Sequence, residues 1–173
     1  MTKAGAGMTE KEADVDLMDT IPMETILEYL KIVYEEKMPF NKYLGIKIDS
    51  MTLDGVVVRI DMRDDLIGNF KKNILHGGVI SAILDFTGGV IAQIHVLSEM
   101  KNAGASLENL VNRLSNMGTI DMRIDYIRPG TGSHFLATGH ILRLGNRVAV
   151  TRTEFVNDEG LLIAVGTSTY IAG

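Results

Sequence analysis

Asp85 stands in the apolar run Ile83-Leu84-Asp85-Phe86, and nine residues before it comes His76-Gly77-Gly78. An ionised carboxylate among apolar neighbours is strongly unfavourable without compensation, so Asp85 needs hydrogen bonds, a raised pKa or a wet cleft. Such a group is either functional or a structural carboxylate that caps a loop or faces a subunit contact, and the residues alone leave both open. Two glycines at the start of a helix let a ligand approach free backbone N–H groups at the positive end of the helix dipole. Donors of that kind suit a developing oxyanion on a polarised carbonyl. The same pair also suits a tight loop or close packing.

Spacing couples the two features. Asp85 follows Gly78 by seven residues, two helical turns or roughly 10 Å along the axis. They share a face, but they cannot both touch one carbonyl carbon, which needs contacts near ~3 Å. If both serve one reaction, the carboxylate must come from a second copy of the chain, as a two-fold dimer allows.

The elements that must position these residues are legible in the periodicity. Residues 79–97 place apolar side chains on every face, so this helix must be wrapped by other elements. As a membrane span it would carry Asp85 at its centre, at a cost of roughly 2.5–3.5 kcal/mol. A buried helix is the better reading. Residues 23–37 read as an amphipathic helix ending before Pro39. From Tyr43 the pattern GIKIDSMTLDGVVVRIDM reads as two short strands broken at Asp54-Gly55, followed by the polar loop DDLIGNFKKN. A short helix is expected at 106–115, then strands at 119–128, 134–144, 147–157 and 161–171, punctuated by Pro129-Gly130, Gly145-Asn146 and Asp158-Glu159-Gly160. The economical architecture is α+β, a curved antiparallel sheet wrapped around one buried helix, with an extra N-terminal helix. Residues 1–22 are expected to form a mobile tail and 23–173 a single domain.

Composition narrows the function. Among 173 residues the formal net charge is −5, which argues against a nucleic-acid coat with a basic stripe. No cysteine is present, excluding disulfides, thiolate zinc sites and cysteine nucleophiles. His95, His134 and His140 lack ligand-like spacing, so no metal is expected. The first 20 residues contain no apolar stretch of the signal-peptide kind, and a cytoplasmic location is expected.

HGGVISAILD, followed by TIDMRIDYIRPG and LGNRVAVTRTEFVNDEGLLIAVGTSTYI, resembles the PaaI-type branch of the hotdog-fold thioesterases, the 4-hydroxybenzoyl-CoA thioesterase superfamily. The resemblance covers about residues 40–172. It implies hydrolysis of acyl-CoA thioesters, with a sheet-wrapped helix and subunits paired through their sheets as homodimers or dimers of dimers. Gly77 then matches the residue whose backbone N–H polarises the thioester carbonyl. Asp85 matches the carboxylate, from the opposing subunit, that acts as nucleophile or as general base for water. Thr119 matches a position that orients the water or the carboxylate, and His76 one that orients the loop or hydrogen-bonds near the carbonyl.

The family commonly has an Asn six residues before the His. Phe70 stands there, and Asn69 and Asn73 on either side are the candidate substitutes. The segment between the central helix and Thr119 is longer than the compact family pattern. The CoA portion of the substrate needs cations for its phosphates, and Arg128, Arg143, Arg147 and Lys71-Lys72 are candidates, with Gly78 as a further backbone contact. No separate cofactor is implied. Two other functions fit the fold: a non-catalytic acyl-CoA-binding protein, and an acyl thioester hydratase or dehydratase.

Overall fold

Alternation of buried and outward-facing residues, clearest in Val56–Asp61 and Val148–Asn157, builds the sheet of the computed structural model, which describes residues 20–173. Strands β1 (Lys47–Met51), β2 (Val56–Asp61), β5 (Gly118–Tyr126), β6 (His134–Leu144), β7 (Val148–Asn157) and β8 (Leu162–Ile171) form one antiparallel sheet in the order β1-β2-β6-β7-β8-β5. A small ladder, β3 (Ile67–Asn69) with β4 (Ile74–Leu75), stands apart. Helices α1 (Met23–Glu36) and α2 (Pro39–Leu44) precede the sheet. The 26-residue α3 (Gly77–Asn102) crosses it, and α4 (Leu107–Ser115) leads into β5.

The sheet's inner face explains how α3 lies so close. Gly139, Thr153 and Gly166 are registered neighbours on β6, β7 and β8, and form a row of small residues under the helix. A Cβ at Gly139 would come within 2.9 Å of Thr87 on α3. On either side of this row the core fills with Phe135 and Phe155, stacked at 5.3 Å, and with Ile83, Leu84, Ile91, Ile94 and Leu97 from the helix, all at most marginally exposed. Although α3 is long and apolar enough to cross a membrane, 56% of its most apolar window is buried inside the protein. The apolar surface is thus used by the core.

One irregularity in β5 matters for the site. Its register against β8 shifts between Thr119 and Asp121, leaving Ile120 as an extra residue. Thr119 and Tyr126 are separated by an odd number of positions and would face opposite sides of a regular strand. The bulge restores them to the same, helix-facing side, where Thr119 pairs with Tyr170 and Tyr126 with Ala164.

The strands, the short helix before β5 and the break at Asp54-Gly55 lie where the sequence placed them. Three local features differ. The chain after Pro39 forms α2 before β1 begins. Residues expected as a polar loop hold a 3-10 turn (Asp64–Leu66) and the β3–β4 ladder. The helix read at 79–97 extends through Asn102. Of the expected tail, residues 1–19 lie outside the described residues.

Candidate active site

His76 caps α3 as its extended N-cap residue, its Nδ1 accepting the Gly78 N–H at 2.9 Å. That bond corrects one expectation, because the Gly78 donor is occupied and is not free for a ligand. It also places the proton of a neutral His76 on Nε2. Gly77, the first helical residue, finds no acceptor for its N–H among the described residues. Its carbonyl accepts the Tyr126 hydroxyl at 2.9 Å, which ties the start of α3 to β5. Gly68 backs the His76 side: a Cβ there would lie 2.8 Å from His76 Cα.

Two turns further on, Asp85 meets the other end of β5. Thr119 Oγ1 donates to Asp85 Oδ1 at 2.8 Å, and Tyr170 O–H lies 2.8 Å from Asp85 O and 3.3 Å from Asp85 Oδ1. The cross-strand register of Thr119 with Tyr170 puts both hydroxyls on one carboxylate. Burial pushes the Tyr170 hydroxyl well above the usual tyrosine pKa, and the negative charge of Asp85 adds to the effect, so the group remains a donor. Gly88 makes room for it: a Cβ there would stand 2.5 Å from the Tyr170 hydroxyl oxygen.

Asp85 opens onto a cavity of about 340 Å³ between α3, the α1–α2 elbow and the start of β5. The uncovered stripe of α3 forms its floor, with Tyr34, Met38 and Phe40 opposite. Met38, Phe40, Phe86, Val90 and Met117 give the cavity an apolar lining, with Asp85, Thr119 and Tyr170 grouped among its polar members, an arrangement suited to a greasy substrate with one reactive polar centre. Phe40 and Ala82 also border a neighbouring depression that reaches His76 and Gly78. A larger depression of about 610 Å³ lies between α1 and β1, but none of its lining residues, Lys31, Glu35, Lys42 and Asp49 among them, also lines the Asp85 cavity.

The remaining sequence candidates do not gather here. Asn69 Oδ1 accepts the Lys71 N–H at 3.2 Å, and Asn73 takes a left-handed φ of 51°, so both shape the exposed β3–β4 turn. Arg128 donates to Leu162 O at one end of β8, whereas Arg147 lies beside Ala172 at the other, and Arg143 lines the same depression as Arg147. Within one chain these arginines do not form a single phosphate site. Tyr170 and Tyr126 escaped the sequence reading, since only strand register reveals what they touch.

One apolar helix cradled by a six-stranded antiparallel sheet, with a paired carboxylate on its flank and a free amide at its start, defines the hotdog class of fold. Residues 72–164 match the family model for the thioesterase superfamily. The medium/long-chain acyl-CoA thioesterase YigI of Escherichia coli K12 is 39% identical over 150 residues, covering 87% of this chain and 96% of the relative. A crystal structure from Shewanella oneidensis, described as related to the thioesterase superfamily, superposes with a TM-score of 0.82 at 42% identity, covering 87% and 97% of the two chains. The PaaI protein of the E. coli phenylacetic acid degradation operon shares the fold at a TM-score of 0.67 and 20% identity, over 87% and 94% of the chains. The chain belongs to the thioesterase superfamily and is an enzyme of that class.

Proposed function

We propose that this enzyme hydrolyses acyl-CoA thioesters to a free acid and CoA thiol, at a site shared between two subunits. The observation that carries the reading is the pairing of Asp85 with Thr119 and Tyr170 at the edge of an apolar cavity. Asp85 either attacks the thioester carbonyl or takes a proton from the attacking water, and Thr119 holds its Oδ1. The carbonyl oxygen, negative in the transition state, accepts the free Gly77 N–H. The C–S bond breaks, the thiolate leaves with its electron pair, and water supplies the hydroxyl of the acid and the proton of the thiol. The acyl group occupies the cavity.

Asp85 and Gly77 are eight residues apart on one helix, about 12 Å along the axis. Two copies solve this. β5 is an edge strand whose outer backbone groups are available for pairing, and Ile120 and Tyr126 on it are each 54% exposed. Antiparallel pairing of two β5 strands about Met122 and Arg123 lays Thr119 opposite Tyr126 of the partner subunit. Thr119 holds Asp85 and Tyr126 holds Gly77, so this register brings one subunit's carboxylate to the other's helix start. The 39% identity to YigI supports medium to long acyl chains as the substrate class.

Thiol release from a series of acyl-CoAs tests the reading. Asp85→Asn is expected to abolish turnover while size and melting profile stay those of the wild type. Unchanged kcat in a folded Asp85→Asn protein would refute the role, and release of no thiol from any acyl-CoA by the wild type would refute the function.

A further inference from the structure

The side of α3 left open by the sheet carries Asp85, Phe86, Gly89, Val90 and Gln93, a single stripe at spacings of three and four residues. Gln93 lies eight residues beyond Asp85, about 12 Å along the helix. A zigzag hydrocarbon with bonds of ~1.5 Å advances about 1.25 Å per carbon, so roughly nine or ten carbons cover that distance. At the far end a polar pair crosses the groove. Tyr34 O–H donates to Gln93 Oε1 at 2.5 Å, linking α1 to α3. Tyr34 is 8% exposed, its ring meets Phe86 edge-on at 5.7 Å, and its carbonyl is held by Asn41 Nδ2 at 2.9 Å.

We propose that the Tyr34–Gln93 pair is the chain-length stop of the acyl site, an inference that rests on the acyl-CoA reading above. A chain of up to about ten carbons lies along Gly89 and Val90 and ends before the pair. A longer one must part the two groups and leave the buried Tyr34 hydroxyl and the half-buried Gln93 amide facing hydrocarbon, which lowers its affinity by about tenfold. Gly89 supplies an independent sign that the groove is kept open. A Cβ there would meet the Tyr170 ring at 3.5 Å, an ordinary contact. The position therefore admits a side chain, and glycine leaves the middle of the groove clear.

The test is kcat/KM for saturated acyl-CoAs from butanoyl to octadecanoyl, measured on wild type, Tyr34→Phe, Gln93→Leu and Gly89→Leu. Wild-type efficiency should climb to about ten carbons and fall roughly tenfold by sixteen. Gln93→Leu and Tyr34→Phe should raise the hexadecanoyl-to-decanoyl ratio at least about fivefold. Gly89→Leu, halfway along the stripe, should move the optimum to about five carbons. If either pair variant fails to fold, Gly89→Leu and the remaining variant decide. Hydrolysis whose length profile is the same in wild type and in every folded Tyr34→Phe or Gln93→Leu variant overturns the stop alone. Absence of thiol release with every acyl-CoA overturns the underlying function instead.

Discussion

Replacing Gly77 with proline would delete one hydrogen-bond donor and almost nothing else. Gly77 is the first residue of α3, the position at which proline is over-represented because its missing N–H has no helical partner. His76 before it sits at φ −64° and ψ 133°, the extended geometry that a following proline requires. The nearest atoms to a new Cβ are in the Tyr126 ring at 3.5 Å, so nothing must move to admit it. The Tyr126 bond to the Gly77 carbonyl is untouched. Stability should hold or rise by about 0.4–1 kcal/mol, because proline restricts the unfolded chain. Turnover should not hold: losing one oxyanion donor costs about 10²–10³ in kcat, or ~2.7–4 kcal/mol. Steady-state thiol release gives kcat, and a thermal melt confirms the fold. Mixing this variant with Asp85→Asn adds a second readout. If Gly77 and Asp85 act across subunits, each mixed dimer holds one intact site of two, and random two-fold pairing restores about a quarter of wild-type activity. A folded Gly77→Pro protein with wild-type kcat would refute the donor role, and variants that are each inactive but fail to complement would refute the shared site.

Other outcomes follow from the same geometry. Tyr170→Phe removes the hydroxyl that holds the Asp85 carbonyl at 2.8 Å and lies 3.3 Å from its Oδ1, so kcat should fall about tenfold in a protein that still folds, as thiol release and a thermal melt check. A wild-type kcat in the folded variant would show that the carboxylate does not depend on this hydroxyl. Gly88→Ala drives a methyl to 2.5 Å from the Tyr170 hydroxyl oxygen and 2.7 Å from Thr151 Oγ1. Overpacking of this kind costs about 1–3 kcal/mol. It should lower the melting temperature by several degrees and kcat with it, and calorimetry beside the thiol assay checks both.

The sequence showed the central helix because no amphipathic face was left to expose, and it showed Asp85 because a carboxylate in such a helix is physically conspicuous. The hairpin strands were legible from alternation and from turns such as Gly145-Asn146. Local pattern could not show which strand end faces which helix turn. Tyr170 reads as an ordinary aromatic β-former until register sets it opposite Thr119. The helix α2 was hidden because six residues beginning with a proline carry too little periodicity. Asn69 and Asn73 were candidates because they flank Phe70, where the family commonly has an Asn, and both lie at the exposed β3–β4 turn. Gly78 was paired with Gly77 as a second donor, and only the His76 side chain's own direction revealed that its N–H was already taken.

Ile120 contributes no chemistry, yet it sets the phase of an entire strand. Without that one unpaired residue, the hydroxyl that grips the acid and the phenol that anchors the start of the long helix would point away from each other. A single-residue deletion there would leave every reactive group in the polypeptide and still uncouple them. In this protein the counting of residues is itself part of the catalyst.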